Sequence, residues 1–301
     1  MTLPLRQPVA PMEALPVDSI PVGEAWRYEP KWDGFCCLAF RDGAKVELQS
    51  KSGRPMSRYF PELSAALGKL KPKTFVLDGK IVVPADGAFS FDALLQRIHP
   101  AQSRIRKLAA ETPALLIVFD LLVDAAGALL TGKPFDQRRR ALELFYQKYC
   151  IGSPGIRLSP SSRSVAEAKE WLRRTGATLD GVIAKRRDFN YRTSDRSGMQ
   201  MIKNFRSADC VVGGFRYNEN NPLVGSLLLG LYDSKGRLNH VGFTSTIKRE
   251  DKSALTKKLK SLVGGPGFTG NAPGGRSRWA TKRSGEWVPL KPKLVVEVCY
   301  D

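Results

Sequence analysis

The stretch Glu29-Pro-Lys-Trp-Asp-Gly-Phe-Cys-Cys sets one lysine, Lys31, a single residue away from an Asp-Gly pair and an apolar run. A lysine is a nucleophile only as the neutral amine, and its surroundings decide whether it reaches that state. Asp-Gly is also a common turn signal. Taken alone, the stretch reads most simply as a surface lysine beside a turn. Two further Asp-Gly pairs stand in related settings, Leu77-Asp78-Gly79-Lys80 and Leu179-Asp180-Gly181-Val-Ile-Ala-Lys185. Phe119-Asp120-Leu-Leu and Lys203 complete the set. Each member has a plain structural reading. Phe119 lies in an apolar run, and Lys185 and Lys203 are two of 48 basic residues.

Other chemistries are excluded by composition. The only histidines, His99 and His240, are isolated, and the five cysteines form no Cys-x-x-Cys pair. A zinc site and a Ser-His or Cys-His nucleophile are therefore not expected. The odd, scattered cysteine set fits a reducing, cytoplasmic setting. No apolar run approaches the ~18 residues of a membrane span. The start, MTLPLRQPVAPMEALP, lacks the pattern of a signal peptide and reads as an extended lead-in. Net charge is +19, and residues 201–301 carry 17 basic against 8 acidic residues. Such an excess favours a polyanionic partner, nucleic acid first.

The elements that must position these residues follow from periodicity. Residues 35–49 read as a hairpin around Arg-Asp-Gly, and 74–83 as a strand interrupted by its Asp-Gly. Residues 61–70 have helical spacing, as do two short segments within 91–111 and the amphipathic stretches 137–149 and 165–176. The run 114–123 reads as a buried strand and 180–186 as another. Strands and helices mix without a regular βαβ period, which predicts an α+β domain over 1–205. Beyond it, short strands at 210–217, 225–233, 240–246 and 294–300 surround a basic helix within 248–262. That pattern predicts a small barrel of the OB-fold kind over 206–301, with a flexible glycine-rich loop at 264–275.

Taken together and in order, these motifs resemble the nucleotidyltransferase superfamily of ATP-dependent DNA ligases, RNA ligases and mRNA capping enzymes. The similarity is strongest to small bacterial ATP-dependent DNA ligases of the end-joining type. The stretches RYFPEL, FSFDALLQR, FDLL, LDGVIAKR, ADCVVGGFRY and SGEWVPLKPKLVVEV carry it, and it runs from about residue 25 to 301. The resemblance implies an adenylation domain followed by an OB-fold domain. It implies a lysine that takes AMP from ATP, with Mg²⁺ or Mn²⁺, and passes it to the 5′-phosphate of a nick. Carried over by motif, Lys31 is the nucleophile. Glu29 lies where the family's backbone reads adenine, Trp32 lies beside the nucleotide, and Phe119 stacks on the purine. Lys185 and Lys203 contact phosphates, Lys51 stands where an arginine is common, and Asp180 takes the place of a glutamate near the metal. The implied partners are nicked or broken duplex DNA and end-joining proteins. A monomer in the bacterial cytoplasm, associated with the nucleoid, is expected.

The sequence also departs from the family pattern. Lys-x-Asp-Gly-x-Arg ends here in Cys36, Asp-Gly-Glu reads Asp-Gly-Lys80, and Met201 replaces the first lysine of a Lys-x-Lys pair. A cysteine lacks the arginine's charge and fork of donors, and a lysine donates where a ribose hydroxyl needs an acceptor. In the family the last basic motif, which orients pyrophosphate, and the strands that complete the barrel come after the point where this chain stops at Asp301, so a truncated, incomplete OB-fold barrel is expected. Weakened self-adenylation is therefore expected. The alternative is a relative that binds nicked or broken DNA without sealing it. An RNA ligase or capping enzyme would share the lysine chemistry, but the end-joining-type stretches argue against it.

Overall fold

The computed structural model describes residues 3–85, 87–175, 179–203, 206–219, 221–274 and 286–300. The chain divides into two compact units, Met1–Asn204 and Phe205–Asp301.

In chain order the first unit contains β1 (Leu15–Pro16), β2 (Trp26–Trp32), β3 (Phe35–Asp42), β4 (Lys45–Ser50), α1 (Pro61–Lys69), β5 (Thr74–Val82), β6 (Pro84–Ala85), β7 (Ala88–Phe89), α2 (Phe91–Gln96), α3 (Gln102–Glu111), β8 (Leu115–Val123), α4 (Phe135–Tyr149), β9 (Ile156–Leu158), α5 (Val165–Arg173), β10 (Leu179–Arg186) and β11 (Met199–Ile202). Among the described residues, one sheet runs β4-β3-β5-β8-β9 and a second runs β1-β11-β10-β2. Local signals fix the helix starts. Pro61 opens α1 with its preset φ. Ser90 and Ser164 cap α2 and α5 by accepting from Ala93 N (3.1 Å) and Glu167 N (3.3 Å).

Both faces of the five-stranded sheet are covered, which explains its near-continuous apolar strands. Cys37, Ala39, Phe75 and Leu77 point to a core shared with Leu63 and Leu67 of α1 and Leu142 and Phe145 of α4. Their neighbours Leu38, Phe40 and Val76 point the other way, onto Leu3, Val9 and Tyr191. The N-terminal lead-in is thus a packed cover over the sheet, anchored by two buried apolar side chains. The second sheet packs Tyr28, Val182, Ala184 and Ile202 against Ala168 of α5.

Two Asp-Gly pairs that suggest turns are mid-strand. β5 continues through Asp78-Gly79 and β10 through Asp180-Gly181, with a shift of register in the pairing at each. A Cβ at Gly79 would lie 2.6 Å from the Ile117 carbonyl oxygen, so glycine there permits close strand approach. Gly181 has φ +138° and would drive a Cβ into the Ile202 carbonyl oxygen.

The second unit contains β12 (Arg206–Tyr217), β13 (Val224–Tyr232), β14 (Leu238–Thr244), α6 (Lys252–Lys260), β15 (Val288–Pro289) and β16 (Val295–Tyr300). β12 pairs with β13 along one edge. Along the other it pairs first with β16 and then with β15. Register shifts at Val212/Gly214 and Arg216/Tyr217 accompany the bend, giving a curled, OB-fold-like half-barrel. Leu259 of α6 closes on Val212, Phe215, Val224 and Leu227. The glycine-rich segment is not free over its described part. Gly267 N donates to Leu290 O (3.1 Å), Thr269 and Gly270 N donate to Leu238 O, and Phe268 is buried.

Candidate active site

The sequence motifs meet at one cleft of the first unit, with a volume of ≈ 310 Å³. That is the low end of the range for small-molecule sites. Glu29, Lys31, Trp32, Lys51, Phe119 and Lys185 all line it. Asp180 joins through contact with Lys31, and Lys203 through Asp180, rather than by lining the cleft.

The β2–β10 register explains how Asp180 reaches Lys31. Trp32 lies opposite Leu179 and Lys31 opposite Gly181, so Asp180 is the extra residue of a bulge. Its Oδ2 contacts Lys31 Nζ, and its Oδ1 lies 3.5 Å from Lys203 Nζ. Burial, then the ammonium groups of Lys80 and Lys203, press the Lys31 pKa down to about 8. The acidic neighbours Asp33 and Cys36 work against them. Contact with Asp180 also favours the charged amine, so the pair must part before Lys31 reacts. Lys80 is itself fixed, its Nζ donating to Gly34 O at 2.9 Å.

Deeper in the cleft, Lys185 Nζ is 2.8 Å from Glu29 Oε2 but makes no aligned hydrogen bond. It stands 4.4 Å from the centre of the Phe119 ring and 4.7 Å from that of Phe135. A cation over aromatic faces is attracted by the ring quadrupole. Glu29 is buried and shared with Arg139 Nη1 at 3.2 Å. Arg139 also donates to Ser159 O (2.7 Å), and Trp32 Nε1 donates to Ser159 Oγ (2.9 Å). This network fixes the Glu29 side chain and the Trp32 edge from below.

Sequence reasoning missed a second layer. Arg138 meets Asp120 through Nε and Nη2, each at 2.9 Å, and Tyr191 donates its hydroxyl to Asp78 Oδ2 at 2.7 Å. Burial, with Asp120 adding to it, pushes the Asp78 carboxyl up to about 7 against the pull of the Tyr191 bond and the nearby lysines. Arg138 and Arg139 fall in the stretch 137–149 that reads as an amphipathic helix, where charge is expected on the exposed side, yet each is only 2% exposed. Asp120 directly follows Phe119 and was the available signal. Glu13 and Arg196 also line the cleft without any sequence flag.

The arrangement offers an apolar, aromatic slot beside converging cations. That suits a base-bearing polyphosphate, with a depressed lysine placed to attack it. Among the described residues no group of three His, Cys, Asp or Glu could hold a metal ion. Mg²⁺ in phosphoryl transfer characteristically uses one or two carboxylates plus substrate phosphates, so Asp180 alone fits such an ion.

Comparison with known proteins agrees. Residues 11–204 match the family model described as ATP dependent DNA ligase domain, and residues 220–301 the ATP dependent DNA ligase C terminal region. The chain is 43% identical over 317 residues to DNA ligase C2 of Mycolicibacterium smegmatis, covering 100% of this chain and 88% of that protein. It is 42% identical to DNA ligase C of Mycobacterium tuberculosis, covering 100% and 87%. Among solved structures, the ligase domain of M. tuberculosis LigD is similar at 27% identity and a TM-score of 0.55, over 97% of this chain and 89% of that one.

Proposed function

The chain belongs to the ATP-dependent DNA ligase family, and we propose that it seals nicks or breaks in duplex DNA through a lysyl-AMP formed on Lys31. The observation that supports this most is Lys31 itself. A lysine held to about 8 among other cations, beside an aromatic-lined cleft, suits nucleophilic attack on a phosphate.

In this reading the neutral Lys31 Nζ attacks the α-phosphorus of ATP. A P–N bond forms, the P–O bond to pyrophosphate breaks, and the nitrogen sheds a proton. The 5′-phosphate of the nick then takes AMP from Lys31, and the 3′-hydroxyl displaces AMP. Phe119 offers its face to the purine, since its ring borders the cleft on β8. Lys185 turns from Glu29 toward phosphate, and Arg139 stays paired with Glu29 when it does. Lys203 and Lys80 hold positive charge beside the reacting phosphorus. Asp180 would hold Mg²⁺ or Mn²⁺, which offsets phosphate charge as the transition state forms. The net charge of +19 suits the phosphates of the DNA partner, and end-joining proteins are the protein partners this reading implies.

One observation favours a second reading, DNA binding without sealing. Lys80 takes the place of an acceptor and is tied to Gly34 O. The two readings separate in one experiment. The protein is incubated with ATP and Mg²⁺ or Mn²⁺ and examined by intact mass, with Lys31→Ala as control. A single covalent AMP that vanishes in the variant supports the ligase reading, and nicked DNA and nicked RNA duplexes then test the strand. A folded protein that binds DNA but forms no adduct moves the binding reading ahead.

A further inference from the structure

The cleft is furnished to hold charge and has little with which to read a hydroxyl. Among the described residues its carboxyl groups are Glu13, Glu29, Asp78 and Asp120, and each is engaged by the chain itself. Glu29 is held by Arg139 at 3.2 Å and Asp120 by Arg138 through two bonds of 2.9 Å. Asp78 accepts from the Tyr191 hydroxyl at 2.7 Å, and that hydroxyl accepts in turn from Met12 N at 3.2 Å. Glu13 lies 2.9 Å from Lys51 Nζ and 2.7 Å from Arg196 Nη2. Among the described residues no Ser, Thr, Asn, Gln or His lines the cleft. The neutral side chains that pair readily with a sugar hydroxyl are therefore missing as well.

The place of the sugar follows from the ends of the nucleotide. With the base on Phe119 and the α-phosphorus at Lys31, the sugar lies between them, and Lys80 stands in that interval. Its strand, β5, runs between β8, which carries Phe119, and β3, which follows Lys31 across Asp33 and Gly34. Lys80 lines the same cleft and its charge is felt at Lys31. Its Nζ donates to Gly34 O at 2.9 Å, which occupies one of three ammonium donors and leaves two for a ligand. Directly opposite in register is Cys36, a small thiol that also lines the cleft. The pair thus presents donors and positive charge with no strong acceptor. An ammonium can donate to a hydroxyl oxygen, but the hydroxyl's own proton is then stranded, and that cost offsets the bond. A phosphate has no proton to strand and gains charge with each bond.

We infer that the sugar side of the cleft, set by Lys80 opposite Cys36, selects an anionic substituent and not a hydroxyl. Ribose and deoxyribose nucleotides enter equally, and a nucleotide phosphorylated on its sugar is held more tightly than its parent. The inference rests on the ATP-using reading above and names the nucleotide class that the site prefers.

The test measures binding by calorimetry without divalent metal, for the wild type, Lys80→Glu and Lys80→Met. The probes are ATP, 2′-deoxy-ATP and 3′-deoxy-ATP, and AMP beside adenosine 3′,5′-bisphosphate. Ratios within one variant cancel the general loss of charge that either substitution brings to phosphate binding. The wild type should bind the three triphosphates within about twofold and the bisphosphate about tenfold more tightly than AMP. Lys80→Glu supplies an acceptor, so ATP should gain about tenfold over its deoxy forms and the bisphosphate should lose its advantage. Lys80→Met should abolish the bisphosphate advantage without creating a preference for ATP. With variants that keep wild-type thermal unfolding, three results overturn the inference: a tenfold wild-type preference for ATP over the deoxy forms, a Lys80→Glu ratio equal to the wild type's, or a bisphosphate advantage that is absent from the wild type or survives Lys80→Met. Lys31 adduct formation is read separately with metal present. ATP that binds without forming the adduct counts against sealing alone, and a preference for ribose counts against this inference alone.

Discussion

The pH dependence of Lys31 adenylation tests the electrostatics of the site most directly. With the Lys31 pKa at about 8, the neutral amine is ~9% of the population at pH 7 and ~91% at pH 9. At ATP well below its KM, where the rate reports the free enzyme, the single-turnover rate of AMP transfer should therefore rise about tenfold between those values and then level off. A lysine at the unperturbed 10.5 would instead gain about a hundredfold, with no plateau by pH 9. Lys80→Met keeps the side-chain length and removes the charge that ranks second after burial. Its profile should shift to higher pH, with a slower rate at pH 7 and recovery toward wild type at high pH. The assay is quenched mixing with ATP and intact mass for the adduct at constant ionic strength. A wild-type rate still climbing a full decade per pH unit at pH 9, or a Lys80→Met midpoint that does not move, would refute the reasoning.

Three further outcomes are expected. Arg138→Leu leaves Asp120 buried, unpaired and near Asp78, and should cost about 3–5 kcal/mol in urea unfolding, since a broken buried pair strands a charge. Asp78 has a folded pKa of about 7 against an ordinary 3.8, so its stabilising proton is present at low pH and is lost as pH climbs through about 7. The urea midpoint should thus fall between pH 5 and pH 8, and fall less in Asp78→Asn. Phe119→Ala removes the ring that borders the cleft and stands under Lys185, and should raise the KM for ATP about tenfold while changing kcat less, the mark of lost substrate binding rather than lost chemistry.

The elements bounded by a turn signal, a capping residue or a helix-opening proline were legible. The hairpin of β3 and β4 follows from two strand-forming runs around Arg41-Asp42-Gly43, and α1 from its Leu63/Leu67 stripe behind Pro61. The short partners were not. β1, β9 and β11 have two to four residues and exist only because longer strands offer edges to them. The packed lead-in was invisible for the same reason: Leu3 and Val9 are ordinary residues until Leu38 and Phe40 present a face to cover. The site was legible where residue order carried it, at Lys31, Phe119 and Lys185, which share a cleft. Arg138 and Arg139 were hidden inside a run of three arginines. Only the fold decides that two of them turn inward, to Asp120 and to Glu29.

The departures from the family pattern show what register adds to order. Cys36 in place of an arginine and Lys80 in place of a glutamate lie 44 positions apart and count, along the chain, as two separate losses. In the sheet they are direct partners, Cys36 of β3 opposite Lys80 of β5. A cationic and an anionic residue at such a pair of positions would face each other across the strands. Here the cation stands on β5 and a small thiol stands on β3. Lys80 supplies positive charge to Lys31 from β5, and its fixed position through Gly34 O keeps it near the nucleophile. What the exchange does remove is the carboxylate acceptor. A hydroxyl-bearing ligand loses a partner there even as the lysine keeps its electrostatic support. A defect from this exchange belongs in nucleotide affinity more than in the reactivity of Lys31.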